Sequence, residues 1–233
     1  MDLFTIIEYD KALLLALNGS NSAFLDHVVL VFTSGLTWIP MYISLLYLVV
    51  KNNEKWSRVF LIVAAVAACM LLSNGINGGL VKPLVGRLRP SFDPSLADRI
   101  SLVNGYTADG FSFFSAHSCN AFTVAVFFVL LVRSRVLSTF LFVWAITVAW
   151  TRLYLGVHFP TDVLVGTLAG ITIASLCYFG YSKITRRVAP ISPYVTDQYT
   201  PTGYSLKDID VVLATIVLTC IYCVVRGVIE AGL

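Results

Sequence analysis

The sequence predicts an all-α membrane protein, a polytopic bundle of about six transmembrane helices preceded by an N-terminal interfacial helix. Of its 233 residues, 58% are hydrophobic and only 12% are charged, whereas soluble domains carry about 25% charged residues. The mean hydropathy is +0.82. The apolar residues also gather into long runs that are almost free of charge. These runs cover residues 28–50, 59–81, 116–132, 136–151, 163–182 and 211–225.

The longest runs reach the roughly 20 residues that cross a bilayer, and flanking polar side chains can complete the shorter ones. Since only short connectors remain, we expect a single membrane-embedded domain over residues 1–233, with an extra C-terminal span at about 208–229. A shorter apolar stretch precedes these runs, over residues 3–17. It is interrupted by Asp10 and is too short and too charged to cross the membrane. We therefore expect a helix in the interface, with a ragged first span as the alternative.

All five cysteines fall inside the apolar runs, which favours buried thiols that act as small hydrophobic groups. The Cys220-x-x-Cys223 pair has no second pair and no nearby histidine. A zinc site needs about four such ligands. The sequence therefore predicts neither a metal site nor a cofactor.

The basic residues of the connectors predict the orientation of the chain, because cytoplasmic loops are enriched in lysine and arginine. Apart from the motifs described next, nine basic residues fall on one side and three on the other. The first group is Lys51, Lys55, Arg58, Arg133, Arg135, Lys183, Arg186, Arg187 and Lys207, and the second is Lys11, Arg99 and Arg226. An up-and-down path places all three motifs on the side with fewer basic residues, facing away from the cytoplasm.

The first motif, KPLVGRLRP over residues 82–90, follows the second run and contains Lys82 and Arg89. Arginine binds two phosphate oxygens with its planar fork, and lysine supplies a compact charge. Basic residues are also common at the ends of spans, where they contact lipid head groups. Arg87 is open to two interpretations, a third phosphate contact or an ion-pair partner.

The second motif, FSAH over residues 114–117, stands at the start of the third run. Ser115 is a good N-cap residue, so Ala116 and His117 are predicted to begin a helix. The free N–H groups of a helix start favour a bound anion. His117 is thus a candidate proton carrier beside an anion, although a lone histidine at such a position is more often an interfacial hydrogen-bonding residue.

The third motif, TRLYLGVHFPTD over residues 151–162, is the most specific. Pro160 is well placed to begin a helix, which leaves His158 in the connection before it and Asp162 in the first turn. A carboxylate four residues on can bind one imidazole nitrogen and leave the other free to attack. Arg152 adds a further anion ligand. These polar groups at an apolar helix edge indicate phosphate chemistry at a membrane surface.

Together the three motifs resemble the type-2 phosphatidic acid phosphatase superfamily, whose signature is K-x6-RP, PSGH and SR-x5-H-x3-D. The resemblance implies hydrolysis of a lipid phosphate without a metal, through a phosphohistidine on His158 that Asp162 orients. His117 would protonate the leaving oxygen and then activate water. The implied phosphate-binding residues are Lys82, Arg89, Ser115, Ala116 and Arg152. Phe114, Ala116 and Thr151 replace the proline, glycine and serine of the signature.

The resemblance is strongest to bacterial members that act on undecaprenyl pyrophosphate or on the phosphates of lipid A. It therefore implies a membrane lipid phosphate as the substrate, no nucleic-acid partner, and a bacterial inner-membrane protein with its active site facing the periplasm. A phosphotransferase with the same phosphohistidine is one alternative. An anion or lipid transporter is a less favoured alternative. Transport needs polar groups near the middle of the bilayer, and the middles of these runs are nearly all apolar.

Overall fold

The computed structural model describes residues 3–96, 98–188 and 197–233. It confirms the predicted all-α architecture. Within those ranges the only β-type pairing is an isolated bridge between Tyr199 and Ser205. The helices are α1 (Leu3–Leu17), α2 (Ala23–Thr33), α3 (Ile39–Lys51), α4 (Trp56–Asn74), α5 (Lys82–Val85), α6 (Ala116–Val132), α7 (Arg135–Tyr154), α8 (Pro160–Val188) and α9 (Leu206–Glu230).

The predicted apolar runs correspond to these helices, but the described residues contain four helices that could cross a membrane, or five spans if the bent pair α2 and α3 counts as one, against the six or so expected. Helices α7, α8 and α9, together with α4 and its continuation, are long and apolar enough to cross a membrane, and α6 is a shorter apolar helix. The first run is not one continuous helix, because α2 and α3 meet at a bend of 66°. The side chains of Thr37 and Trp38 stabilise the bend by donating to the carbonyls of Val31 and Phe32 in the last turn of α2.

Helices α6 and α8 form the most extensive helix pair and lie at the centre of the bundle. Two glycines one turn apart on α8 permit their close approach. A Cβ at Gly166 would lie 2.5 Å from the carbonyl oxygen of Ser115, and one at Gly170 would lie 2.4 Å from that of Cys119. Small residues with this spacing allow membrane helices to pack backbone against backbone. The second motif, at the start of α6, and the end of the third motif, at the start of α8, therefore lie at the same end of this helix pair.

The end of the second apolar run continues as helix and contacts this pair. After α4 the chain forms a π-helical segment, Gly75–Val81, and then α5. Gly86 ends α5 with a φ of +60°, a left-handed conformation that glycine adopts without strain. The buried Asn77 donates from Nδ2 to the carbonyl of Phe114 at 3.1 Å. This contact ties the approach to the first motif to the second motif.

The C-terminal helix α9, at the predicted C-terminal span, packs against α2 and α3. Gly227 lies against α2, where an added Cβ would be 2.3 Å from Cγ2 of Val28. At the other end of α9, Asp208 accepts hydrogen bonds from Tyr47 and Asn52, each at 3.0 Å. Helix α9 thus supports the bent pair rather than the motifs.

Candidate active site

His158 lies at the meeting point of the first and third motifs. Its Nδ1 is 3.5 Å from Oδ2 of Asp162, and its Nε2 is 3.3 Å from Nη1 of Arg89. The predicted local structure is confirmed, since α8 begins at Pro160 and carries Asp162 in its first turn. Because the carboxylate faces Nδ1, it favours a proton there and leaves the lone pair on Nε2. The unprotonated Nε2 faces the guanidinium of Arg89.

Burial keeps the His158 ring neutral. The side chain is 2% exposed, and burial lowers its pKa to about 4, against the ordinary 6.5. The hydrogen bond to Asp162 acts in the opposite direction, while the positive charges of Arg152 and Arg89 reinforce the lowering of the pKa. At neutral pH the imidazole is therefore unprotonated on one nitrogen, as a nucleophile must be.

The completely buried Asp162 carboxylate is held from several directions. Oδ2 accepts from the Phe159 backbone N–H at 2.9 Å and from the Ser112 hydroxyl. Oδ1 accepts from Nη1 of Arg87 at 2.7 Å. Ser112 also lies 3.4 Å from Nδ1 of His158. Ser112 was not predicted, because nothing in its local sequence distinguishes it from the other serines of the polar connection over residues 91–114.

Arg87 is an ion-pair partner in this structure. Its Nη2 lies 2.7 Å from Oδ2 of the buried Asp10, while Nη1 contacts Asp162 and the Thr161 hydroxyl. The guanidinium carbon also stacks 3.8 Å from the centre of the Phe159 ring. Asp10 in turn accepts from the backbone N–H of Thr161 at 2.8 Å and from its hydroxyl at 2.6 Å. The residue that interrupts the first apolar stretch therefore docks α1 behind the His158–Asp162 pair.

The orientation of Arg89 is fixed by backbone carbonyls of the polar connection and of the third motif. Nε donates to Asp109 and Gly110, both at 3.1 Å, and Nη2 donates to Asp109 at 2.8 Å. Nη1 donates to the carbonyl of Val157 at 2.9 Å while it lies beside His158. These contacts hold a cation next to the free imidazole nitrogen without neutralising its charge.

Arg152 is a buried cation, 1% exposed. Its Nη1 donates to the Thr33 hydroxyl at 2.5 Å, and its Nη2 lies 3.5 Å from the hydroxyl of Tyr106. Within the described parts of the chain, Nε has no hydrogen-bond partner and no carboxylate lies within 4 Å of the guanidinium. A buried charge in this state favours a bound anion.

The second motif adopts the predicted helix start. Ser115 caps α6, and its Oγ accepts from the N–H of Ser118 at 3.4 Å. The Ser115 N–H donates to the carbonyl of Asp162 at 3.0 Å, which connects the second motif to the third. His117 lies in the first turn and is exposed, and it interacts electrostatically with His158, Arg89, Arg152 and Lys82. The structure thus brings all eight predicted site residues to one end of the bundle.

Two side chains of this group have no hydrogen bond to any residue that the structure describes. In the part of the chain that the structure describes, neither the Lys82 ammonium nor the His117 ring has a hydrogen-bond partner. Lys82 does interact electrostatically with Arg89, Asp162 and Arg152. Residues 3–96, 98–188 and 197–233 also contain no cluster of three or more His, Cys, Asp or Glu side chains suited to a metal ion. The unpaired groups are positive or proton-carrying, which suits an anionic ligand.

A comparison with known families decides the classification, because the profile described as the PAP2 superfamily matches residues 59–186. The chain belongs to the PAP2 superfamily. This result confirms the resemblance drawn from the three motifs. The matched region contains all of those motifs and the helices that carry them, while α1, α2, α3 and α9 lie outside it.

Curated PAP2 relatives extend the similarity to nearly the whole chain. A protein of Bacteroides thetaiotaomicron named lipid A 4′-phosphatase is 36% identical over 225 residues, which is 96% of this chain and 97% of the relative. A protein of the same name from Porphyromonas gingivalis is 30% identical and covers 76% of this chain and 74% of its own. A putative undecaprenyl-diphosphatase, YbjG of Escherichia coli, is 48% identical over 61 residues, or 26% of this chain and 30% of its own.

Two solved structures resemble the bundle. The crystal structure of Aquifex aeolicus LpxE has a TM-score of 0.55 at 25% identity and covers 71% of this chain and 92% of that one. The transmembrane PAP2-type phosphatidylglycerolphosphate phosphatase of Bacillus subtilis has a TM-score of 0.57, also at 25% identity, with coverages of 78% and 89%. The membrane helix bundle is therefore an architecture that PAP2 proteins share.

Proposed function

We propose that this PAP2-type membrane lipid phosphatase removes the 4′-phosphate of lipid A through a phosphohistidine formed on His158. The observation that supports the proposal most directly is the pairing of a neutral, oriented imidazole with a buried cation that has no carboxylate within 4 Å among the described residues. His158 presents Nε2 to the cationic group, and Arg152 lies within it with no carboxylate nearby in the described ranges. A phosphate monoester supplies the charge that Arg152 lacks and the electrophile that Nε2 needs.

In the first step Nε2 of His158 attacks phosphorus, and the bond from phosphorus to the lipid oxygen breaks. Desolvation and the neighbouring cations lower the pKa of His117, and the negative charge of the bound phosphate raises it again. The protonated His117 then donates its proton to that oxygen, so the lipid leaves as an alcohol. Asp162 stabilises the positive charge that develops on the imidazole ring. In the second step His117 takes a proton from water, the resulting hydroxide attacks the phosphohistidine, and inorganic phosphate leaves with His158 restored.

The phosphoryl oxygens would be bound by Lys82, Arg89 and Arg152, with the Ser115 hydroxyl and the N–H groups near Ala116 at the start of α6. Charge-assisted hydrogen bonds of this kind are strongest where water is excluded. Arg89 and Arg152 are both buried and are held in place by neutral oxygens. Arg87 has a different part in this scheme, since its guanidinium is already paired with Asp10 and Asp162.

The substrate assignment rests on the two relatives named lipid A 4′-phosphatase, one of which matches over 96% of this chain. The match to the putative undecaprenyl-diphosphatase is limited to 61 residues, so undecaprenyl pyrophosphate is the second choice. The excess of basic residues in the opposite connectors supports a site that faces away from the cytoplasm. In a bacterium this arrangement corresponds to the inner membrane with a periplasmic active site.

The test is phosphate release by the detergent-purified full chain, in the presence of a chelator. The panel contains lipid A, undecaprenyl pyrophosphate, phosphatidylglycerol phosphate and phosphatidic acid. The variants are His158→Ala and, as a matched control, His27→Ala. His27 pairs with Glu230 and belongs to none of the motifs.

We expect release from lipid A that His158→Ala abolishes and His27→Ala leaves intact, with mass spectrometry of the product locating the loss at the 4′ position. Equal release by wild type and His158→Ala would refute the phosphohistidine. A different preferred lipid would refute the substrate assignment and leave the mechanism standing. If folded protein releases nothing until a second lipid or sugar acceptor is added, the enzyme is a phosphotransferase.

A further inference from the structure

A second cationic cavity lies at the end of the bundle opposite the active site. It has a volume of about 420 Å³, and its polar lining comes mainly from Arg58, Arg133, Arg186, Tyr181 and Thr185. This cavity is called the distal cavity below. Arg58 is near the start of α4, Arg133 follows α6, and the other three lie near the end of α8. Since the second motif stands at the start of α6, a helix of 17 residues, the two sites are about 25 Å apart.

Three buried polar atoms of the distal cavity have no hydrogen-bond partner among the described residues: Nε of Arg58, the Tyr181 hydroxyl and Oγ1 of Thr185. Tyr181 is 6% exposed and Thr185 is 2% exposed, so neither side chain is satisfied simply by facing bulk water. More than nine in ten buried polar groups in proteins are paired, and an unpaired one is costly. Thr185 lies four residues after Tyr181, which places both on one face of α8. Their position favours a ligand that binds in the distal cavity.

The chemistry of the lining limits the ligand to an anion rich in acceptor oxygens. Each of the three unpaired atoms carries a proton that it can donate. Residues 3–96, 98–188 and 197–233 place no carboxylate within 4 Å of the guanidinium groups of Arg58, Arg133 or Arg186. Arginines near the ends of helices are explained in part by membrane topology and by the helix dipole. Neither explanation accounts for the two buried hydroxyls, whereas a phosphoryl group would satisfy both hydroxyls and the arginines.

The apolar surroundings favour a lipid as the source of the phosphoryl group. Leu131 and Phe179 complete one wall of the distal cavity, and the Phe179 side chain is 68% exposed on the outer surface of the bundle. Trp56, two residues before Arg58, is 65% exposed, as is typical of the aromatic residues at a membrane interface. A phosphate in the distal cavity would therefore lie at head-group depth, with room for acyl chains along Phe179.

We propose that the distal cavity binds the phosphodiester head group of an anionic membrane lipid and thereby links α4, α6 and α8. This site is separate from the active site, and a phosphodiester is not a phosphomonoester substrate. The inference therefore does not depend on the proposed function. Variants of the distal cavity are expected to keep most of the phosphate release of the wild type.

The experiment measures thermal unfolding of the detergent-purified full chain by tryptophan fluorescence. Phosphatidylglycerol, phosphatidylcholine and inorganic phosphate are added in parallel. One variant, Arg58→Gln with Arg186→Gln, removes charge, and another, Tyr181→Phe with Thr185→Val, removes only the hydroxyls. Arg187→Gln is the matched control, because this arginine is exposed on the same helix and does not line the distal cavity.

Phosphatidylglycerol is expected to raise the Tm of the wild type and of Arg187→Gln by about 5 °C more than phosphatidylcholine does. Both distal-cavity variants should lose most of this gain. Native mass spectrometry of the wild type should retain one phosphatidylglycerol in preference to phosphatidylcholine.

An equal gain in all variants would mean that the anionic lipid acts through general surface charge, and this result would overturn the proposal. A gain from inorganic phosphate that both distal-cavity variants lose, without a gain from phosphatidylglycerol, would overturn the assignment to a lipid. Absence of any retained lipid on the wild-type protein would also overturn it.

Discussion

Replacement of Gly166 by alanine tests the close approach of α6 and α8 most directly. The new Cβ would lie 2.5 Å from the carbonyl oxygen of Ser115, whereas ordinary contacts begin at 3.4 Å. The obstacle is backbone, which a change of rotamer cannot relieve. The helices must therefore separate by about 0.9 Å at this point. Ser115 and His117 would move away from Asp162, which accompanies Gly166 on α8.

The size of the effect follows from two opposing contributions to stability. Alanine gains about 1 kcal/mol of helix propensity over glycine. Overpacking a tight contact costs about 1–3 kcal/mol. The catalytic effect should be larger, because a displacement of about 1 Å among reacting groups can lower a rate by about 10²-fold. We therefore expect Gly166→Ala to change stability modestly and to lower kcat by one to two orders of magnitude.

Gly180→Ala is the matched control, since it lies on the same helix and an added Cβ there meets nothing within 4 Å. This variant gains helix propensity without overpacking, so its Tm should equal or exceed that of the wild type and its kcat should be unchanged. The assay combines phosphate release from lipid A with thermal unfolding in detergent. If Gly166→Ala and Gly180→Ala have the same kcat within about threefold, the close approach of α6 to α8 does not set the geometry of the reacting groups.

The remaining predictions concern the groups around the imidazole. Asp10→Asn is expected to lower kcat by about tenfold with little change in KM, because Arg87 then loses one of its two carboxylate partners. Glu8→Gln on the same helix is the control and should have no effect. Equal kcat values for the two variants would contradict this role of Asp10. Ser112→Ala should lower kcat by about tenfold through the loss of a hydrogen bond to a charged carboxylate. Ser91→Ala, which removes a buried hydroxyl with no partner among the described residues, is its control. Burial lowers the pKa of His158 to about 4, and the neutral ring is the nucleophile. Protonation of His158 should therefore leave kcat/KM unchanged above about pH 5 and should lower it as the pH falls through about 4. A limb at the ordinary pKa of 6.5 would count against a buried nucleophile.

The sequence was most informative where the physical determinants are local. The N-cap at Ser115 and the helix start at Pro160 follow from backbone groups that are unpaired at every helix start, and both were predicted correctly. The spacing from His158 to Asp162 also places the carboxylate beside the ring without reference to the rest of the fold. The bend between α2 and α3 was missed, because hydropathy measures transfer into the membrane and not the continuity of a helix.

The partners of the charged residues could not be predicted in the same way. The carboxylate of Asp10 pairs with Arg87 across 77 positions, and the Thr33 hydroxyl meets Arg152 across 119. In the sequence Asp10 is only an interruption of an apolar stretch, and Thr33 is one polar residue within a run. The role of Arg87, left open between a phosphate contact and an ion pair, depended on where α1 docks.

The sequence by itself determined that the chain crosses a membrane as helices and that three polar motifs stand at their ends. Burial of apolar runs, helix capping and the spacing of charged residues act over a few positions, so they are visible in the order of the amino acids. The tertiary structure decided which side chains hold Asp162, which hydroxyl contacts the buried Arg152, and how closely α6 approaches α8. Those features depend on packing and on electrostatic interactions between residues far apart in the chain, whose free energies are set only when the helices assemble.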